Sequence, residues 1–346
     1  MSPPALPGDG RRDGDGPVDR LDEIASGFQA AKVLFAAAEL RLFDLLREPG
    51  ASAEEIARAT GGSPRGLRIL LDALVALELV SKRGESYRNR PEHESELLEG
   101  SPGHFVAMLR HRNRMFRSWA RLEEIVMGGA PPVREILDER QANEDFIRAM
   151  YAVSHRRAGP LVDRLELRGV RAVADLGGGP GVYLEEIARR HPEIELYLAD
   201  LPMTLEVARE RLSRSAAGRR VRLLPWDLYG SPPPPELPPL DLALLSQVVH
   251  GEPPEANRGL FARLFDRIAP GGRLVVVERL VDKGRASPRD AALFAVNMLA
   301  MTPGGRTYTE REILDWGREA GFVAEPGEQV DEGASLVRLR RPRDSR

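Results

Sequence analysis

The stretch Val173–Pro202, VADLGGGPGVYLEEIARRHPEIELYLADLP, decides how the rest of the chain is read. A short apolar run carries an acid near its end, Asp175, and four glycines follow within five positions: Gly177, Gly178, Gly179 and Gly181. A helix-like segment then leads into a second apolar run that ends in Asp200. Strand, glycine turn, helix and strand make a unit whose turn offers bare backbone N–H groups to a ligand. Two ligand classes fit such a turn. A dinucleotide asks for G-x-G-x-x-G, whereas this loop reads DLGGGPG, with an acid set where it would repel a pyrophosphate. A cationic ligand would be favoured there instead.

The sulfonium and amino groups of S-adenosylmethionine make it such a ligand, with Asp200 placed at a strand end for the ribose hydroxyls. Downstream, short apolar runs continue to alternate with helices: VRLLPWD, LDLALLSQVV and GRLVVVERLV follow VRAVADL and IELYLAD. That alternation predicts a parallel sheet with helices on both faces. The tail, VAEPGEQV followed by ASLVRLRR, reads as a closing antiparallel pair, and SPPPPELPPL before the fourth run as a stiff spacer.

Upstream the grammar is helical. EEIARAT and PRGLRILLDALVALELV form two helices around a Gly-Gly-Ser-Pro turn in which Ser63 caps and Pro64 starts the second. LVSKRGESYRN then reads as a hairpin with Gly84 at its tip. Helix, turn, helix and hairpin make a winged helix, a fold that often binds DNA. The second helix, however, is apolar nearly all round, with Leu67, Leu70, Leu71, Leu74 and Val75 on one side and Ile69, Ala73, Ala76 and Leu77 on much of the other. Only Arg65 and Arg68 bring charge to its start. An interaction domain, for dimerisation, fits this better than a DNA reader.

The 346 residues suit two domains, and a net charge of -3 with no cysteine offers no general attraction for nucleic acid or anionic membrane, no disulfide and no thiolate chemistry. The Pro-, Gly- and charge-rich start resembles neither a signal peptide nor an anchor and reads as a disordered arm over 1–18. No apolar run is long enough to span a bilayer, so a cytoplasmic protein is expected. The remaining boundaries fall at 19–100 for the winged helix, 101–168 for a helical connector and 169–346 for the α/β domain. In the connector, His104, Met108, His111, Met115 and Trp119 share one helix face, read first as packing and alternatively as the lid of a binding site.

The ordered set DLGGGPG, LADLP, PWDLYG, LSQVVH, APGGRLVVVERL and GGRTYTEREILDWGREAGF resembles the S-adenosylmethionine-dependent small-molecule O-methyltransferases that carry an N-terminal winged-helix dimerisation domain, the plant phenolic and bacterial polyketide enzymes. The resemblance runs from about Ile24 to Arg340. It implies a Rossmann-like α/β sheet of seven strands, the last antiparallel, and a homodimer in which each N-terminal domain helps wall the partner's pocket. It also implies that Gly177 lies against the methionine part, Asp200 on the ribose and Asp227 on the adenine amino group, with Asp175 and Gly179 counted in the same cofactor-binding set. Leu201, Leu228 and Tyr229 would flank adenine and ribose, with Ser246, Met150 and Ser154 completing the cofactor set. For Asp227, read without the family, a turn-capping role is equally open.

Methyl transfer is an in-line displacement, and a phenol with a pKa of about 10 needs a base to become a good nucleophile at neutral pH. His250 stands at the carboxyl end of the fourth run, where open α/β sheets bind ligands, and the resemblance makes it the general base. Glu278, ending LVVVE, is the candidate carboxylate to orient it, or else a surface acid. Gly251 stands where the family has an acid, and Thr307 where plant members have a glutamate that orients the histidine. Met115, Phe116, Phe146, Asn297, Met298 and Met301 are the candidate lining for a flat apolar acceptor. Gln247, His250, Asn297, Met298 and Met301 make a poor metal set, and no metal is expected. Carbon methylation, a non-methylating relative, and a DNA-binding regulator that senses the cofactor are the alternatives.

Overall fold

The computed structural model describes residues 17–98, 105–129, 140–331 and 333–343; the expected arm up to Gly16 and the connector residue His104 lie outside them. The chain divides into two compact units, with the division after Asn113.

The first unit opens with a long helix, α1 (Pro17–Glu39), and a short one, α2 (Leu42–Leu45). Strand β1 (Ala51–Ser52) leads into α3 (Ala53–Thr60), α4 (Pro64–Ala76), β2 (Val80–Arg83) and β3 (Ser86–Asn89), followed by α5 (Glu94–Leu97). Caps set the helix starts. Ser52 and Glu55 form a reciprocal capping box on α3, and the Ser63 hydroxyl accepts from the Gly66 N–H at the start of α4. The sheet has three strands, in the order β1-β3-β2, where the sequence signalled only the β2–β3 hairpin. A two-residue strand is too short to carry a period. On α4, Leu67, Leu71 and Leu74 are buried, but Ile69 and Leu77 are exposed on the single chain. Arg68 is paired with both Glu54 and Glu85.

Helix α6 (Val106–Trp119) spans the division, and α7 (Leu122–Val126) and α8 (Arg140–Val162) follow. The second unit is built on a seven-stranded sheet of β4 (Ala172–Leu176), β5 (Glu195–Asp200), β6 (Val221–Pro225), β7 (Leu240–Ser246), β8 (Ile268–Glu278), β9 (Val323–Asp331) and β10 (Ala334–Arg340), in the order β6-β5-β4-β7-β8-β10-β9. Strands β4 to β8 pair in parallel, and β10 runs antiparallel between β8 and β9. The helices are α9 (Val182–Arg190), α10 (Pro202–Leu212), α11 (Pro254–Arg267), α12 (Arg289–Met301) and α13 (Glu310–Glu319).

Alternation along the strands explains the layers. Val173, Leu196, Leu198, Leu242, Leu244, Val275 and Val277 pack with α8, α9 and α10 on one face. Their sequence neighbours Ala174, Tyr197, Ala199, Ala243, Leu245, Leu274 and Val276 pack with α11 and α13 on the other. Both faces are covered, which is why the strands read as continuous apolar runs. The strand order reverses at β4, with β5 on one side and β7 on the other, and the crevice above their carboxyl ends is the expected ligand site of such a sheet.

Candidate active site

The glycine loop leaves the carboxyl end of β4 with its backbone tied to β5. The Gly177 N–H donates to Ala199 O at 2.7 Å, and the Gly179 N–H to Asp200 Oδ2 at 2.8 Å. The Leu201 N–H takes the other Asp200 oxygen at 2.7 Å. Gly177, Gly179 and Gly181 all have positive φ, and Gly177 is also sterically bare, since a Cβ there would stand 2.9 Å from Val248 Cγ2. At Gly178 a Cβ would stand 2.4 Å from the Asp175 carboxyl group, so that acid lies packed directly beneath the loop.

Asp175 is fully buried, and neither of its oxygens has a hydrogen-bond partner. Burial first, and the charge of Asp200 second, push its pKa up to about 8. Burial also raises Asp200, against the hydrogen bonds it accepts from Gly179 and Leu201. Two carboxyl groups held against desolvation under a bare loop make a site that a cation relieves and a pyrophosphate aggravates. The donor and acceptor set therefore fits S-adenosylmethionine.

The cofactor candidates from β6 sit in one turn. Asp227 Oδ1 accepts from the N–H groups of Tyr229 at 3.1 Å and Gly230 at 2.9 Å, so the turn-capping role is made. Oδ2 lies on the side that a Cβ at Gly230 would occupy. Leu228 is buried near Gly177. Glu252 sits above the usual carboxylate range, through burial and then the charge of Asp227. Burial, then the charges of Glu252 and Glu278, raise Tyr229, keeping its hydroxyl a donor. Ser246, at the end of β7, hydrogen-bonds Tyr183 of α9. Helix α8 lies beside the loop: Ile147 borders Gly179, and Arg211 bonds Pro180 O while stacking over Tyr151. On that helix Met150 and Ser154 are partly exposed, and the Ser154 hydroxyl donates to Met150 O at 2.8 Å.

His250 is not on the strand itself. Gln247, at φ 57, ends β7 in the left-handed region, its N–H donating to Val277 O at 2.8 Å, and His250 sits on the following 3-10 turn Val249–Gly251. Because Ser246 pairs with Val277, the turn after β7 meets the residue that ends β8. There His250 Nδ1 lies 2.8 Å from Glu278 Oε2. Glu278 is 2% exposed, and its Oε1 is buried without a partner. A carboxylate at Nδ1 holds the imidazole tautomer whose Nε2 carries the lone pair.

The ring packed edge-on against His250 is Phe294 of α12, 4.9 Å between centroids, which the sequence reading passed over; the Arg279 guanidinium lies over the Phe294 ring, 5.3 Å from its centroid. Phe294 lies three residues before Asn297, a helical spacing that could have flagged it. Asn297 and Met298 are buried and Met301 partly so, and the Trp119 indole N–H donates to Asn297 Oδ1 at 3.0 Å. Met115 and Phe116 are partly exposed on α6, as is Phe146 on α8. Thr307 is buried, with its carbonyl facing Arg285. Among the described residues no group of three or more His, Asp or Glu side chains could hold a metal ion.

A glycine loop shaped for a cationic nucleoside ligand beside a histidine–carboxylate pair defines a group-transfer enzyme, and comparison with known proteins says which. Residues 123–323 match the O-methyltransferase domain and residues 22–92 the O-methyltransferase dimerisation domain. The chain is 34% identical to 3-hydroxy-5-methyl-1-naphthoate 3-O-methyltransferase of Streptomyces sahachiroi, over 87% of this chain and 88% of that protein. It is 30% identical to the tetracenomycin polyketide synthesis 8-O-methyl transferase of Streptomyces glaucescens, over 95% and 98%. The crystal structure of human N-acetylserotonin methyltransferase with S-adenosylmethionine superimposes with a TM-score of 0.81 at 25% identity, covering 96% of this chain and all of that one. The chain belongs to the family of S-adenosylmethionine-dependent O-methyltransferases with an N-terminal dimerisation domain. Among the described residues no helix is long and apolar enough to cross a membrane.

Proposed function

We propose that the chain transfers a methyl group from S-adenosylmethionine to a phenolic hydroxyl of a small aromatic or polycyclic acceptor, with His250 as general base. The observation that carries this reading is the 2.8 Å contact between His250 Nδ1 and the buried carboxylate of Glu278, at the sheet end that also holds the glycine loop. Bound at that loop, S-adenosylmethionine supplies an electrophilic methyl carbon on a positively charged sulfur. The Asp175 and Asp200 carboxyl groups favour the cation, and Gly177 and Gly179 let it reach the backbone. Asp227, Leu201, Leu228 and Tyr229 border its nucleoside end, with Ser246, Met150 and Ser154 alongside.

His250 Nε2 takes the phenol proton as the oxygen attacks the methyl carbon; the carbon–oxygen bond forms, the carbon–sulfur bond breaks, and the sulfur keeps the electron pair. Glu278 stabilises the imidazolium that results. Phe294, Asn297, Met298, Met301, Met115, Phe116 and Phe146 are the acceptor's largely apolar surroundings, a lining suited to a flat ring system such as the naphthoate named for the Streptomyces sahachiroi relative. The partners are small molecules and a second copy of the chain rather than nucleic acid or membrane, and the reaction belongs in the cytoplasm. The domains are read as 19–100 for dimerisation, 101–168 as connector and 169–346 for catalysis.

Calorimetric titration with S-adenosylmethionine and S-adenosylhomocysteine, followed by methyl-transfer assays on hydroxynaphthoates and polyketide phenols, tests the reading. His250→Ala is expected to bind the cofactor within about threefold of wild type while losing at least about a hundredfold in kcat. Failure of both cofactor forms to bind removes the whole reading; a wild-type rate in His250→Ala removes the base.

A further inference from the structure

Asn257, on the first turn of α11, is fully buried and sits between two loops of the proposed site. Its Oδ1 accepts the Tyr229 hydroxyl at 2.8 Å. Its Nδ2 donates to Val249 O at 2.9 Å and to Glu252 O at 3.2 Å, the two carbonyls that bracket His250 and Gly251. The amide's orientation follows from these partners, a phenolic O–H on one side and two carbonyls on the other. Tyr229 is itself seated by Asp227 through its backbone N–H, and the same helix holds the neighbouring Leu228 O through Arg263 at 2.6 Å. The Tyr308 hydroxyl also donates to Glu252 O.

We infer that Asn257 is a positioning residue, the polar link that holds the turn carrying His250 in register with the Asp227–Tyr229 loop at the cofactor's nucleoside end. The inference rests on the proposed roles of His250 and of that loop. The 3-10 turn of three residues is held by two hydrogen bonds of its own, Gly251 N–H to Val248 O at 3.1 Å and Glu252 N–H to Val249 O at 3.4 Å, and these cannot by themselves fix an imidazole to a few tenths of an ångström. Val249 and Glu252 are clamped by one side chain, so the imidazole between them meets Glu278 at a set angle. An apolar residue at 257 of the same size would fill the space and leave a hydroxyl and two carbonyls without this partner.

The test uses the full-length protein with labelled histidine. The His250 Nδ1–H proton, held by Glu278, is assigned by its loss in His250→Ala, and its exchange with water is measured by NMR. Asn257→Asp keeps the shape and the acceptor for Tyr229 but removes both N–H donors to the turn. It is expected to speed Nδ1–H exchange at least about tenfold and, on any phenol found to be methylated, to lower kcat by about ten- to a hundredfold, with KM for S-adenosylmethionine within about threefold. A folded Asn257→Asp with wild-type exchange overturns the inference. Should Asn257→Asp not fold, Tyr229→Phe, which removes a single hydroxyl, decides: faster exchange supports the link, and unchanged exchange overturns it. The exchange measurement needs no cofactor, so a wild-type protein that ignores S-adenosylhomocysteine would defeat the proposed function while leaving the positioning of His250 to be decided on its own data.

Discussion

Asp175 is held where a carboxylate is costly. Its unfolded-state value is near the ordinary 3.8 and its folded value about 8, so between those pH values the folded, ligand-free protein binds the extra proton. The sign follows: stability falls as pH rises from about 4 to about 8, because the unfolded state sheds the proton first. Asp175→Asn should therefore raise the melting temperature of the ligand-free protein at pH 8, with the gain shrinking toward zero at pH 4. The same substitution removes the charge proposed to favour the sulfonium, so binding of S-adenosylmethionine should weaken about ten- to a hundredfold. A cation bound nearby lowers the pKa of Asp175, so wild-type protein should release protons on binding near neutral pH, measured by calorimetry in buffers of different ionisation enthalpy. An Asp175→Asn protein that releases as many protons, or melts no higher than wild type at pH 8, would show that the proton sits elsewhere.

At the scale of the element, the glycine loop makes different demands at successive positions. At Gly178 any Cβ collides with the Asp175 carboxyl group and, at 2.7 Å, with Leu198 Cδ1 inside the sheet. At Gly179 a Cβ meets only Ile147 Cδ1 at 4.0 Å, and the cost is the left-handed backbone alone, about 1 kcal/mol. Gly178→Ala should thus lower the melting temperature by more than Gly179→Ala, a comparison that differential scanning calorimetry makes directly. Gly251 is different again: its Cβ meets nothing within 4 Å and its φ is not positive, so Gly251→Asp, which restores the acid the family resemblance leads one to expect, should melt within about two degrees of wild type.

These elements also mark how far the sequence could be read. The four inner parallel strands β5, β4, β7 and β8 were legible because burial on both faces leaves apolar runs, the edge strand β6 from its place in the alternation, and Asp175 and Asp200 because each stands at or next to the end of such a run. His250 and Glu278, 28 residues apart, could be paired only by placing β7 beside β8, which the strand alternation allows one to guess. What escaped has a physical reason in each case. The run LDLALLSQVV does not show that Gln247 turns into the left-handed region and ends the strand, because glutamine rarely does so. Asn257 reads as an ordinary polar residue near a helix start, since its side chain reaches back five and eight residues to Glu252 O and Val249 O and across 28 to the Tyr229 hydroxyl, contacts that no regular helix or strand period signals. Phe294 sits in AALFAVNMLAM, apolar nearly throughout, where only its three-residue spacing from Asn297 sets it apart.

The whole molecule depends on what α1 leaves uncovered. Its second half is a core element, with Phe35, Ala37 and Ala38 buried in the first unit. Its first half presents Val18, Leu21, Ile24 and Phe28 to solvent at 54% to 76% exposure, and their spacing places all four on one stripe. A single chain gains nothing by holding such a stripe in water, whereas burying each side chain against a partner contributes about 1.5–3 kcal/mol. The stripe overlaps the matched dimerisation domain, and the homodimer we propose would use it. Ile24 stands in mid-stripe, so Ile24→Glu changes little in an isolated chain but sets a carboxylate into the interface, at a cost of several kcal/mol if it stays unpaired. Sedimentation velocity should find wild-type protein dimeric at micromolar concentration and Ile24→Glu largely monomeric, with the far-UV circular dichroism of the two alike. A monomeric wild type would refute the homodimer, and a variant that stays dimeric would move the interface away from α1.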